Sequence, residues 1–265
     1  MNPLTEAFAA ARADDRAVLI GYLPAGFPTR SEAVAIIAAM VENGVDVVEV
    51  GLPYSDPLMD GPVIQAAVDQ ALNGGARIAD VMATVKATAA AGAPALVMSY
   101  WNPIEKYGVE RFADELAAAG GVGIITPDLT PEEADAWRAA TDANGLDRVF
   151  LVAPSSTDVR IAAVARVTSG FVYAASTMGV TGVRTSVSGA AGELVARVRR
   201  TTTLPVCVGL GVSNAEQAAE VAAYADGVIV GSAFIRAVQE AGSHGEAREA
   251  VGRLAAELAV GVRRR

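Results

Sequence analysis

Residues 17–51 read AVLIGYLPAGFPTRSEAVAIIAAMVENGVDVVEVG. The segment opens on an apolar run, AVLIGY, and closes on another, DVVEVG; short runs rich in β-branched residues read as buried strands. Between them Thr29 and Glu32 have capping-box spacing, in which the hydroxyl takes an orphan N–H at the third helical position and the glutamate reaches back. Val34, Ile37, Met40 and Val41 then recur at helical spacing, giving the predicted helix an apolar face. Asn43-Gly44 supplies the glycine that ends it. Strand, capped helix, strand is the repeating element of α/β folds.

The same alternation continues to the end of the chain, through PALVMSY, GVGIITP, RVFLVAP, GFVYAAS, LPVCVG and DGVIVG. Thr130 with Glu133 and Ser213 with Glu216 repeat the capping-box spacing, and Pro131 falls where a missing N–H costs nothing. Ala91-Gly92 marks another helix end. About eight strand candidates, each followed by a helical pattern, match a closed parallel (β/α)8 TIM barrel, with an open doubly wound sheet as the alternative. At 265 residues and 52% hydrophobic, the chain reads as one such barrel domain over residues 1–265.

A net charge of -9 disfavours nucleic acid and anionic membrane surfaces as partners. Arg197, Arg199 and Arg200 cluster where a helix C-terminus would welcome cations. No apolar run is long enough to cross a bilayer, and the first residues carry charges where a signal peptide needs its apolar centre, so the expected location is cytoplasmic. The single cysteine, Cys207, excludes an intrachain disulfide and reads as a small core residue.

Barrel chemistry sits at the C-terminal ends of the strands. Glu49 there is an acid inside an apolar run, expensive to bury unless it is hydrogen-bonded or its pKa is raised, and it reads as an acid/base catalyst. The following loop, GLPYSDPLMDGP, carries Asp56 and Asp60 among three prolines that restrict it. Later come MGVTG after the sixth strand, GLGVS after the seventh and GSA after the eighth, whose glycines allow backbone N–H groups to close on a phosphate; the last two fall in the slots where this fold usually holds one. The only histidine, His244, lies in the C-terminal region, which argues against a Ser-His-Asp triad and a His-rich zinc site. The only lysines, Lys86 in a helical run and Lys106 in the loop after the third strand, are poorly placed for an imine. Carboxylates and backbone donors remain for acid/base work, without metal.

DVVEVGLPYSDPLMDGPVIQ, with SYWNPIEKYG, PDLTPEE, MGVTG, GLGVS and VGSA, closely resembles the α subunit of tryptophan synthase, in order over nearly the whole chain. The resemblance implies retro-aldol cleavage of indole-3-glycerol phosphate to indole and glyceraldehyde 3-phosphate. It makes Glu49 the proton shuttle and Asp60 the ionised acceptor of the indole N–H. Tyr22, Ile64, Met98, Tyr100, Ile125, Tyr173 and Leu210 would line the indole site. Gly211, Gly231, Ser232 and Gly182 would hold phosphate, and Thr181 would orient Asp60 on a lid hinged at Gly179 and Gly182. No cofactor is expected in this chain. The expected partner is a pyridoxal-phosphate β subunit in an α2β2 assembly, meeting the loops near 53–56 and 102–108, with Asp56 serving coupling rather than cleavage. Pro24, Met59 and Met178 depart from the family pattern, which bears on loop and lid dynamics. A freestanding lyase, or another phosphate-binding barrel such as an isomerase or metabolite sensor, would share many of these features.

Overall fold

Each apolar run becomes a strand, and all pair in parallel. The computed structural model describes residues 2–175 and 188–264, so Met178, Gly179, Thr181 and Gly182 lie outside the described residues. The strands are β1 (Val18–Pro24), β2 (Val47–Gly51), β3 (Ala95–Met98), β4 (Gly123–Ile125), β5 (Asp147–Val149), β6 (Leu151–Val152), β7 (Val172–Ala175), β8 (Val206–Gly209) and β9 (Gly227–Val230). They form one sheet in the order β5-β4-β3-β2-β1-β9-β8-β7-β6. Its two ends, β5 and β6, are separated in the chain only by Phe150, where the run RVFLVAP changes partner from β4 to β7. The sheet therefore closes on itself, and the eight predicted strands become the eight staves of a (β/α)8 barrel, one of them split.

Period-two alternation sorts the side chains. Val18, Ile20, Val47, Leu96, Ile125, Val149, Cys207 and Ile229 pack inside the barrel, with Leu4 and Phe8 of helix α1 (Pro3–Ala13) closing its N-terminal end. The Phe8 and Phe171 rings meet there with centroids 5.9 Å apart. The alternate residues, among them Leu19, Leu23, Val48, Val50, Val97 and Ile124, face the surrounding helices. Those helices are α2 (Arg30–Glu42), α3 (Pro62–Asn73), α4 (Ile78–Ala90), α5 (Trp101–Tyr107), α6 (Val109–Ala118), α7 (Asp135–Asn144), α8 (Asp158–Val167), α9 (Ser188–Arg199), α10 (Ala215–Ala222), α11 (Ser232–Gln239) and α12 (His244–Gly261).

The capping signals come through unevenly. Thr29 caps α2 by accepting the Glu32 N–H at 3.3 Å, and the helix ends at Asn43-Gly44 with Gly44 at φ 103°. The buried face of α2 is Ala33, Ile36, Ile37 and Met40, so the predicted stripe is rotated: Val34 and Val41 are only half-buried. Ser213 is not the cap of α10. Asn214 is, accepting the Gln217 N–H at 2.9 Å while Gln217 reaches back to the Ser213 N–H at 2.8 Å, which moves the reciprocal pair one residue along. Thr130 and Glu133 frame a three-residue 3-10 turn, and the helix proper starts only at Asp135. The segment after β3, expected as a loop, is the helix α5 and carries Lys106. Arg197 and Arg199, in the last turn of α9, pair with Asp158 at 2.8 Å and Asp226 at 3.1 Å. Among the described residues no helix is long and apolar enough to cross a membrane.

Candidate active site

Strand register lifts a ring of side chains to the C-terminal mouth of the barrel. Tyr22 on β1 lies opposite Glu49 on β2, which in turn lies opposite Leu96 on β3. Glu49 follows the inward-facing Val47 by two positions and so points into the barrel, one layer above the apolar interior. Above it opens a cleft of about 540 Å3, its solvent-open mouth included. Ten of the residues expected at the site line it: Glu49 and Asp60, then Tyr22, Ile64, Met98 and Tyr173, then Leu210, Gly211, Gly231 and Ser232.

The two carboxyl groups live in different surroundings. Glu49 is 2% exposed, and its Oε1 has no hydrogen-bond partner among the described residues. Burial alone lifts its pKa from 4.5 to about 8, so the group is mostly protonated at neutral pH. Asp60 is half-buried in the loop after β2. Burial raises its pKa too, but a hydrogen bond from the Tyr100 hydroxyl opposes the rise. The chain enters α3 directly after Asp60 and Gly61, which brings the positive end of a helix dipole beside this carboxylate and favours its ionised form. Tyr22 and Tyr173 are pushed well above the usual tyrosine range, first by burial and then by nearby charges including Glu49 and Asp60, so their hydroxyls remain donors.

Glycines make room for those rings. A Cβ at Gly51 would lie 2.5 Å from the Tyr22 hydroxyl oxygen, and one at Gly209 would strike the Tyr173 hydroxyl. At the other wall Gly211 adopts φ 69°, a left-handed conformation that favours glycine. Gly231 and Ser232 line the cleft and open α11, whose first N–H groups have no partner within the helix. Arg236, one turn along α11, donates to Ser232 Oγ at 3.4 Å. A dipole end, free backbone donors and a nearby guanidinium suit an anionic group.

Two expected contacts sit elsewhere. Ile125 is fully buried, packed with Leu96 and Val149 in the apolar interior one layer below the cleft, and does not line it. Tyr100 stands beside the cleft and uses its hydroxyl on the loop, accepting the Met59 N–H at 2.9 Å and donating to Asp60. Gly209 and Ile229 line the cleft without having been singled out; the inward phase of β8 and β9 is the signal that could have found them. Asp56 is exposed, its carboxylate taken by the Ser55 hydroxyl at 2.6 Å, outside the cleft. Lys86 and Lys106 are exposed on helices and also lie outside it.

A (β/α)8 barrel with two carboxyl groups in a cleft at the C-terminal ends of its strands, opposite a glycine-lined wall, has the architecture of a barrel enzyme. The family profile described as Tryptophan synthase alpha chain matches residues 8–262, and the chain belongs to that family. It is 61% identical to the tryptophan synthase alpha chain of Acidothermus cellulolyticus over 264 residues, covering 100% of this chain and 98% of that one. Its identity to the alpha chain of Thermobifida fusca is 59%, covering 99% and 98% of the two chains. Among solved structures, Mycobacterium tuberculosis tryptophan synthase superposes with a TM-score of 0.92 at 55% identity, covering 98% of both chains. Tryptophan synthase subunit alpha of Legionella pneumophila superposes with a TM-score of 0.87 at 32% identity, covering 99% and 98%.

Proposed function

We propose that this chain cleaves indole-3-glycerol phosphate to indole and glyceraldehyde 3-phosphate, with Glu49 as proton shuttle and Asp60 as the charged acceptor. The observation that carries this reading is Glu49: a buried carboxyl group whose Oε1 has no hydrogen-bond partner among the described residues, with a pKa raised to about 8, where it is an acid at neutral pH.

Protonated Glu49 delivers its proton to ring carbon C3, leaving positive charge on the indole nitrogen. The Glu49 carboxylate so formed takes the proton of the side-chain hydroxyl next to the scissile bond. That O–H pair becomes the aldehyde C=O, and the C–C bond pair returns to the ring. Glu49 ends protonated, ready for another turn. Asp60 accepts the indole N–H and stabilises the charge that develops there, which requires it to stay ionised. Tyr22, Ile64, Met98, Tyr173 and Leu210 enclose the ring, while Gly211, Gly231, Ser232 and the start of α11 receive the phosphate. Thr181 and Gly182 join this set by resemblance alone. No lysine or metal enters the scheme.

Solved tryptophan synthase relatives support a β subunit as the partner that takes the indole; that this subunit carries pyridoxal phosphate, that the assembly is α2β2 and that the setting is cytoplasmic follow from the sequence resemblance alone. The decisive assay is indole release from indole-3-glycerol phosphate, with and without such a β subunit. Wild type should release indole faster with the β subunit. Glu49→Gln and Asp60→Asn should each lose on the order of a hundredfold or more. Cleavage that ignores the β subunit would favour a freestanding lyase, and no indole at all would reject the reaction.

A further inference from the structure

The loop that carries Asp60 has no secondary structure between β2 and α3, yet Asp60 must keep one position and one charge. We propose that Asp128 is a positioning residue for Asp60, acting through the first turn of α5. This inference rests on the proposed reaction only for its kinetic consequence.

Gln65 Nε2 of α3 donates to the Asp60 carbonyl at 2.7 Å, and three further contacts hold the Asp60 loop from the start of α5. The Tyr100 hydroxyl accepts the Met59 N–H at 2.9 Å and donates to the Asp60 carboxylate. The Tyr100 ring packs on Tyr54, with centroids 5.6 Å apart. Asn102 Nδ2 donates to the Tyr54 hydroxyl at 3.0 Å. On the side of Tyr54, Met59 and the Asp60 carboxylate, the loop is therefore held by residues 100–102.

Those residues begin a seven-residue helix whose N-cap, Tyr100, makes no side-chain capping bond. A helix that short has little stability of its own and needs outside support. Asp128, just past the end of β4, supplies the missing cap from a neighbouring stave: both its carboxylate oxygens accept the Trp101 N–H, at 2.9 and 3.2 Å. The Trp101 indole then packs edge-on against the buried Trp137, with centroids 5.6 Å apart. Asp128 is half-buried, and burial raises its pKa while the Trp101 N–H opposes the rise, so this bond also keeps the carboxylate charged. Asp128 does not line the cleft and touches no substrate position; it fixes the peptide from which Tyr100 reaches Asp60.

The chain of contacts makes a claim about charge that a generally structural residue would not satisfy. Loosening α5 withdraws the Tyr100 hydrogen bond from the ionised form of Asp60, so the Asp60 pKa must rise further. The test is a 13C NMR titration of the Asp60 carboxyl, identified by its loss in Asp60→Asn, and read without substrate. Tyr100→Phe and Asp128→Ala should each move the titration to higher pH, and Asp128→Asn, which keeps one acceptor for Trp101, should restore most of it. Asp128→Ala added to Tyr100→Phe should move it no further, because both act through one hydroxyl. In the indole-release assay the low-pH limb of kcat/KM should follow the same order, with kcat/KM down about tenfold in Asp128→Ala.

An Asp60 titration that is unmoved in Tyr100→Phe overturns the proposal, even where Asp128→Ala does not fold. So does an Asp128→Ala effect that adds in full to that of Tyr100→Phe. Absence of indole from wild type would reject the proposed reaction and leave the titration result standing by itself.

Discussion

Replacing Glu49 by glutamine should make the unliganded protein more stable, and increasingly so as pH rises. In the folded chain the carboxyl pKa is raised from 4.5 to about 8, because burial penalises its charged form. Between those two values the folded state holds a proton that the unfolded state has released, so wild-type stability falls with rising pH by about 1.4 kcal/mol per unit from this group. The stabilising contribution is complete below the unfolded value and gone above the folded one. Glutamine has nearly the same shape and no proton to lose. The difference in unfolding free energy between Glu49→Gln and wild type should therefore grow by about 4 kcal/mol, in favour of glutamine, between about pH 5 and about pH 9. Urea unfolding of both proteins at a series of pH values measures it. All other titrating groups are shared by the two proteins and cancel in the difference. A difference that stays flat across this range would mean that Glu49 is solvated or paired, and the acid role proposed for it would lose its physical basis.

Because Glu49 must begin each turnover protonated, kcat/KM for indole release should fall as pH rises through about 8, and this alkaline limb should be read in the free enzyme's profile. Gly209→Ala puts a methyl group against the Tyr173 hydroxyl and should push that ring toward the cleft, raising KM several-fold with a smaller change in kcat, at a stability cost of about 1–3 kcal/mol by thermal unfolding. Asp56→Ala removes an exposed carboxylate outside the cleft; it should leave cleavage by the isolated chain within about twofold while reducing activation by the β subunit, and loss as complete as in Asp60→Asn would refute that division.

What could be seen in the sequence was whatever depends on neighbours along the chain. The eight staves follow from β-branched runs, and only the break at Phe150 was hidden, because it arises from a change of pairing partner between β4 and β7. Thr29 caps as its spacing predicts, whereas Ser213 yields to Asn214, an equally good cap one residue later with Gln217 in reach to reciprocate. The helix α5 was missed because WNPIEKY is short and carries a proline, which the first turn tolerates. Glu49 was visible because a carboxylate in an apolar strand conflicts with its surroundings. Ile125 could not be distinguished from a cleft residue, since it points inward like Met98, its register partner, and only its depth separates them. Asp128 was invisible as a positioning group: its partner, Trp101, is brought to it by barrel closure and not by spacing.

The fold also explains how two carboxyl groups in one cleft, both raised by burial, come under separate control. Glu49 is fixed by its strand, flanked by β1 and β3, and desolvation raises its pKa. Asp60 hangs from a loop and receives a hydrogen bond that a separate helix delivers. A perturbation of α5 should therefore change the ionisation of Asp60 and leave that of Glu49 nearly untouched. In a pH profile this means that the acidic limb moves while the alkaline limb stays. Any partner that docks on the exposed side of α5, where Asn102, Glu105 and Lys106 face solvent, would gain a handle on one carboxylate alone. Separate control of that kind requires the acid to sit on the strand and the ionised acceptor on the loop; with the positions exchanged, a moving loop would disturb the desolvation that makes the acid.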